Sequence, residues 1–314
     1  MGPTLDHLRT AEARDAGAFF AENDPVEVVE AVRATSDEQL LELIGRDDVR
    51  PLAVAAIVSR MHEYAVPKRL AEIEGVVRFD LERRGELLER HGLVFARGTL
   101  KHLPEIRGDE QVDVVLRTSV LRFIRLVSGE RNAGLEFLAG TIDIDGDAEL
   151  ALGIGGLFRV PGTDDVAVDP MLLDPVDVAT ALKGTKADHL RKVMASGFRP
   201  IVLDEIFRRL PEFVNDRKAR HVDLTIGFRL EGRPDGEVDR YVVRVADGAA
   251  TVTAGAGEGA ERNATVTCEA HEFVRLATGH LGAITGVLRG QLKVRGDKAK
   301  ALQLSSVIDF PKAR

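Results

Sequence analysis

Apolar and polar residues alternate with a period of two along 222–230 and along 241–245, which predicts two neighbouring strands of one sheet. Asp247-Gly248 predicts a tight hairpin turn into a third strand at 250–252. The alternation at 264–268 predicts a fourth strand. This half of the chain therefore contains a sheet built largely from antiparallel neighbours.

Helix signals flank these strands. Asp174 followed by Pro175 is typical of an N-cap and a first helical residue. The helices expected before the strands are 175–183, 186–195 and 200–213. After the strands we expect a helix from about 270 to Gly279, a short apolar segment, a fifth strand and a last helix capped by Asp297.

The same pattern occurs twice. Residues 24–28 recur at 174–178, and a collinear series of further matches holds an offset of 149 or 150 across a whole half of the chain, which indicates a tandem duplication. The predicted domains are an N-terminal helical extension (1–23), a first unit (24–173) and a second unit (174–314). Helices grouped before and after a sheet predict an α+β fold.

The runs 273–279 and 288–297 resemble the sterol-carrier-protein family of lipid-binding domains, and 123–129 and 138–147 carry the pattern in weaker form. The resemblance implies two tandem sterol-carrier-type units, each a five-stranded, mainly antiparallel sheet with helices on one face. It also implies an apolar cavity for fatty acyl chains, acyl-CoA, phospholipid or sterol, and neither catalysis nor a cofactor.

In the second unit, small residues such as Gly282, Ala283 and Gly286 leave room beside apolar ones, although close packing without a cavity remains an alternative. The equivalent loop of the first unit, 130–134, is polar, so we do not expect an open ligand mouth there. We therefore interpret the first unit as degenerate. The predicted ligand-binding residues are Phe228, Val243, Val245, Val266, Phe273, Leu276, Ala277, Leu281, Ile284, Val287, Leu288 and Leu292.

Charge is distributed unevenly between the halves. The chain of 314 residues has a net charge of −8, which argues against nucleic-acid binding. Residues 1–173 carry a net charge of −12 and residues 174–314 one of +4. Lys293 and Arg295 alternate with apolar neighbours on the fifth strand, so we expect transient contact with anionic membranes, with a solvated strand face as the alternative.

Other sequence features bear on location and chemistry. No apolar run is long enough to span a membrane, and the charged N-terminus does not resemble a signal peptide, so we expect a cytoplasmic protein. The single cysteine, Cys268, lies on a predicted strand and is expected to be buried rather than reactive. His271 and His280 are nine residues apart, which does not suit a metal site on one helix.

Three functional classes follow. The leading hypothesis is a non-catalytic carrier of lipid-like ligands, with no metal and no cofactor. The second is an accessory interaction protein that presents a hydrophobic intermediate to partner enzymes, although the sequence identifies no protein partner. The third is an enzyme acting on a ligand held in the cavity, although no nucleophile, base and acid stand together in a recognisable motif.

Overall fold

The computed structural model describes residues 5–163, 166, 173–255 and 261–314. The chain divides into two compact units, one formed by 1–137 with 141–170 and the other by 138–140 with 171–314. Each unit contains one five-stranded sheet.

The first unit begins with a 3₁₀ helix at Leu5–Arg9. Its helices are α1 Ala13–Glu22, α2 Pro25–Ala34, α3 Asp37–Ile44, α4 Arg50–Arg60, α5 Pro67–Leu70, α6 Val120–Val127, α7 Ala133–Leu138 and α8 Ala148–Gly155. Its strands are β1 Gly75–Arg83, β2 Glu86–Ala96, β3 Thr99–Leu103, β4 Val114–Ser119 and β5 Asp143–Gly146.

The second unit repeats this order. Its helices are α9 Pro175–Leu182, α10 Ala187–Met194, α11 Phe198–Arg209, α12 Asp216–Ala219, α13 Ala270–Ala277, α14 Ala283–Leu288 and α15 Lys298–Val307. Its strands are β6 Leu224–Glu231, β7 Asp239–Ala246, β8 Ala249–Ala254, β9 Ala264–Glu269 and β10 Lys293–Gly296. A 3₁₀ helix at Leu210–Phe213 follows α11, as one at Met61–Tyr64 follows α4.

The two sheets have the same topology. The strand order is β3-β2-β1-β4-β5 in the first and β8-β7-β6-β9-β10 in the second. The central pairs β1–β4 and β6–β9 are parallel, and the other pairings are antiparallel. The expected mainly antiparallel α+β sheet is thus confirmed, as a mixed sheet.

Period-two alternation places the apolar side chains of the central strands on one face. Ile226, Phe228 and Leu230 are buried on β6, as Phe79 and Leu81 are on β1. The helix starts also follow the sequence signals, because the side chain of Asp174 accepts a hydrogen bond from the Val176 N–H at 2.7 Å. Gly279 ends the segment after α13 with a φ of +75°, a conformation that favours glycine.

A buried arginine joins helix to sheet in both units. Arg50, at the start of α4, donates from Nε to Glu89 on β2 at 2.8 Å. Arg199, at the start of α11, donates from Nε to Asp239 on β7 at 2.6 Å. These pairs give a structural reason for the Arg-Pro match in the two copies, since each orients a helix over its sheet.

The sequence does not indicate where the N-terminal segment packs. Leu5, Leu8 and Phe20 form a core with residues of α2 and α3, so the segment belongs to the first unit. The short helices α5 and α12 were not predicted, because four residues are too few to show a helical period.

Candidate ligand-binding site

The second unit contains an apolar cavity between its sheet and the helices α13, α14 and α15. Strands β6, β9 and β10 contribute one wall, and the C-terminal segment also contributes lining residues. The lining residues are Leu210, Phe228, Val266, Phe273, Leu276, Ala277, Ala283, Val287, Leu292, Val294, Ala301, Leu302, Leu304, Ser305, Ile308 and Phe310.

Aromatic rings form one wall of this cavity. Phe228 and Phe273 both line it, with ring centroids 5.4 Å apart in an edge-to-face arrangement. Phe207 stacks on Phe273 at 4.7 Å and on Tyr241 at 3.8 Å. The Tyr241 hydroxyl donates to Asp204 at 2.9 Å, so the ring stack is anchored by a satisfied polar group.

The cavity offers almost no polar contact. Ser305 is the single polar residue of the described lining, and its hydroxyl donates to the Leu302 carbonyl at 2.8 Å. The free volume is about 50 Å³, which suffices for a few water molecules at ~10–15 Å³ each. Because ligand pockets for drug-sized molecules hold roughly 300–1,000 Å³, a long ligand requires the cavity to widen.

Helix α14 covers the cavity and has two apolar faces. Ala283 and Val287 line the cavity, whereas Ile284 and Leu288 are 64% and 82% exposed. Gly286 lets this helix lie close to the strand below, because a Cβ there would be 2.7 Å from Leu292 Cγ. The contacts that hold α14 are therefore apolar contacts and backbone hydrogen bonds.

The structure brings some of the predicted residues together and separates others. Those that line the cavity are Phe228, Val266, Phe273, Leu276, Ala277, Val287 and Leu292. Val243, Val245 and Leu281 are buried but lie outside the lining. Ile284 and Leu288 do not line this cavity, since each follows an inward-facing residue and is rotated by about 100° to the solvent side of α14.

Sequence reasoning missed the contribution of α15 and the C-terminal segment. Six of the lining residues lie there, namely Ala301, Leu302, Leu304, Ser305, Ile308 and Phe310. Leu302 and Leu304 predict a buried helix face only weakly, because the apolar and polar residues around them do not follow a helical period. Phe310 follows the last helix and has no periodic signal at all.

The first unit carries larger side chains at several equivalent positions. The offset of 150 pairs Ala277 with Val127 and Val287 with Phe137. It also pairs Ile308 with Phe158, and both phenylalanines are only 8% exposed. At these three positions the first unit therefore carries bulkier side chains than those that line the cavity of the second.

Helix α7, the counterpart of α14, is held by charged side chains. Glu136 occupies the place of Gly286, and its carboxylate lies 2.8 Å from Arg122 Nε and 2.7 Å from Arg131. Thr141 also donates its hydroxyl to Glu136. Burial would raise the pKa of Glu136, but the hydrogen bonds from Thr141 and Arg131 and the charge of Arg122 outweigh it, and the pKa is lowered.

The remaining chemical candidates have structural explanations. Cys268 is buried, and burial raises the pKa of its thiol to about 12, which disfavours the thiolate. The His280 ring contacts the Ala179 carbonyl at 2.7 Å, and His271 is buried beside Glu272. Among the described residues, no group of three or more His, Cys, Asp or Glu is arranged to hold a metal.

No helix in the described ranges has both the length and the apolar character needed to cross a membrane. The model of the SCP-2 sterol transfer family matches residues 56–159 and 203–309, one segment in each unit. Together these segments cover more than half of the chain. None of the curated proteins matches the chain.

Solved structures similar to this chain include a stereoselective inverting sec-alkylsulfatase from Pseudomonas sp., at 16% identity and a TM-score of 0.31. That match covers 42% of this chain and 24% of the alkylsulfatase, so it spans about a quarter of that enzyme. Sterol carrier protein 2 like 2 from Aedes aegypti is 20% identical with a TM-score of 0.29, covering 35% of this chain and 95% of that one. Its palmitated form is 19% identical with a TM-score of 0.30, covering 36% and 96%.

Proposed function

Since the chain belongs to the SCP-2 sterol transfer family, we propose that it is a non-catalytic carrier of lipid-like molecules that works in the cytoplasm. The ligand class is a fatty acid, acyl-CoA, phospholipid or sterol, and the second unit binds it. The observation that carries the proposal is the apolar cavity beneath α14. The single cysteine, free and buried, is compatible with the reducing cytoplasm.

The lining supports binding of an acyl chain or a fused ring system. Each buried methylene contributes ~0.8 kcal/mol, so an apolar ligand needs contact area more than polar anchors. The described lining offers one hydroxyl, and that hydroxyl is already hydrogen-bonded to the Leu302 carbonyl. Among the described lining residues there is no carboxylate, imidazole, thiol or amine that could serve Ser305 as a general base, which supports a carrier rather than an enzyme.

The proposal assigns binding to one unit because of side-chain size. Val127, Phe137 and Phe158 occupy the first-unit positions that Ala277, Val287 and Ile308 occupy in the second. A ligand entering the first unit would have to displace well-packed side chains, which costs free energy. The second-unit side chains at these positions are smaller, so a ligand would displace less of that interior.

A pair of substitutions on α15 tests this function in the full chain. Ala301 lines the cavity, whereas Ala299 is exposed on the same helix. We expect Ala301→Leu to weaken binding of cis-parinaric acid, a fluorescent fatty acid, by about tenfold because it fills the site. Ala299→Leu adds the same atoms to the surface and should leave the affinity unchanged.

The unsubstituted parent protein is measured first. We expect mass spectrometry of its lipid extract to reveal a bound amphiphile. Unfolding curves of both variants verify that they are folded, and Ala277→Val is a second, milder filling variant. The proposal is overturned if the parent binds no cis-parinaric acid, or if folded Ala301→Leu and Ala277→Val both bind it as the parent does.

A further inference from the structure

Three aromatic rings form a stack that reaches from the cavity of the second unit into its interior. Phe273 lines the cavity, and Phe207 stacks on it with ring centroids 4.7 Å apart and ring planes 11° apart. Tyr241 stacks on Phe207 in turn, at 3.8 Å and 13°. Because only Phe273 belongs to the described lining, the other two rings form a second layer behind it.

Phe207 supports both aromatic residues of the lining. Its ring lies edge-to-face against Phe228 at 5.7 Å, in addition to its stack on Phe273. The side chain is only 2% exposed, so protein encloses it. Interiors packed in this way contain few voids, and the cavity therefore cannot extend past Phe228 and Phe273 unless Phe207 moves.

A hydrogen bond anchors the far end of the stack. The Tyr241 hydroxyl donates to Asp204 Oδ1 at 2.9 Å. Asp204 and Phe207 are three residues apart on α11 and so lie on one face of that helix. One helix therefore supplies both the middle ring of the stack and the group that holds the outer ring.

The first unit shows that the scaffold does not require this stack. The offset of 149 pairs Phe207 with Val58, and the offset of 150 pairs Tyr241 with His91. Val58 is fully buried in the core of the first unit. The fold therefore tolerates a smaller side chain at the position of Phe207.

We propose that Phe207 is a specificity-determining residue that limits the length of the acyl chain carried by the second unit. This proposal rests on the proposed carrier function and commits the ligand to an acyl chain whose end abuts Phe228 and Phe273. Each added methylene strengthens binding only while it becomes buried. The affinity should therefore rise with chain length until the chain reaches the two rings, and then level off.

Competition against cis-parinaric acid measures this limit in the full chain. Saturated fatty acids from octanoic to octadecanoic acid displace the probe from the parent and from Phe207→Ala. We expect the parent affinity to rise about fourfold per methylene and to level off before octadecanoic acid. Phe207→Ala should move the limit to chains longer by about two carbons or more, because it opens space behind the two lining rings.

Phe198→Ala is the matched control for loss of a buried ring. Phe198 is buried at the other end of α11 and lies outside the described lining. Its substitution removes the same atoms and should leave the limiting length unchanged, even where it weakens the binding of every acid alike. Phe207→Leu removes less of the side chain and should move the limit in the same direction as Phe207→Ala, so it provides the measurement if Phe207→Ala does not fold.

The outcomes separate this assignment from the carrier function. A parent that binds none of the acids overturns both. If the parent binds them but its affinity rises through octadecanoic acid, Phe207 does not limit the chain and the carrier function stands. The same conclusion follows if folded Phe207→Ala or Phe207→Leu keeps the limiting length of the parent, or if Phe198→Ala shifts it equally.

Discussion

Helices α7 and α14 are the same element of the repeat, but different interactions hold them in place. In α7 the buried Glu136 binds Arg122 and Arg131, whereas in α14 the equivalent Gly286 only packs against Leu292. The strand order and the parallel central pair are identical in the two sheets. The difference between the units therefore arises from a few side chains on a shared scaffold, which is where a change of function within a fold is expected.

The duplication shows which interactions the scaffold itself requires. Both units retain an arginine that joins a helix to its sheet. Arg50 joins α4 to β2 through Glu89, and Arg199 joins α11 to β7 through Asp239. Breaking a buried pair of this kind leaves an uncompensated charge. By contrast, Ala277, Val287 and Ile308 around the cavity are replaced by bulkier residues in the first unit, so the scaffold tolerates variation at these positions.

The largest difference between the units should appear when cavity-filling residues are exchanged. Val127→Ala with Phe137→Val in the first unit creates a void and should cost about 3 kcal/mol of unfolding free energy. The reverse exchange, Ala277→Val with Val287→Phe, places atoms in existing space and should change stability by no more than about 1 kcal/mol.

Urea unfolding of the full chain measures both exchanges. The chain has no tryptophan, so Tyr64→Trp and Phe213→Trp, at equivalent positions after α4 and α11, report on each unit separately. Equal losses in the two units would contradict the comparison, since they would mean that both interiors are equally filled.

A smaller difference should appear in acid. The folded protein keeps the pKa of Glu136 below its ordinary value of 4.5, so the unfolded chain takes up the proton first as the pH falls. The stability that this ionised side chain contributes is present above that value and is lost as the pH falls through the folded pKa. We expect the transition reported from Trp at position 64 to lose part of its acid dependence in Glu136→Gln.

The second unit provides the control for this measurement, because Gly286 has no titratable side chain. The transition reported from Trp at position 213 should keep the same pH dependence in Glu136→Gln. An unchanged slope at position 64 would show that Arg122, Arg131 and Thr141 hold the folded carboxylate no more tightly than water does.

The sequence predicted the scaffold well because its signals are local and repeated. The alternation on β6 and β7 and the capping pair Asp174-Pro175 each have one structural meaning. The sequence does not predict which face of α14 is buried, and the reason is physical. Its pairs Ala283 with Val287 and Ile284 with Leu288 are both apolar at helical spacing, so the pattern cannot tell which face is buried.

The candidate site was predicted only in part. Phe273, Leu276 and Ala277 lie on a strongly amphipathic helix, so their inward position follows from periodicity. The inward position of the α15 residues cannot be predicted in this way, because Lys298–Val307 mixes apolar and polar residues without a clear apolar face. Whether space remains between two buried faces depends on the volumes of side chains far apart in sequence, as Val287 and Ile308 illustrate.

The smallest difference between the units should occur at the caps of their last helices. Asp147 accepts hydrogen bonds from the Glu149 and Leu150 N–H groups at 2.8 and 3.0 Å. Asp297 accepts them from Ala299 and Lys300 at 2.9 and 3.1 Å. Because the geometry is the same, Asp147→Ala and Asp297→Ala should each cost about 1 kcal/mol, as loss of an N-cap does.

The two tryptophan reporters measure this pair as well, and Asp297→Ala should leave the affinity for cis-parinaric acid nearly unchanged because the cap lies outside the lining. A loss several times larger in one unit would mean that α8 and α15 depend on their caps differently. The units would then differ in their scaffold as well as in the side chains around the cavity.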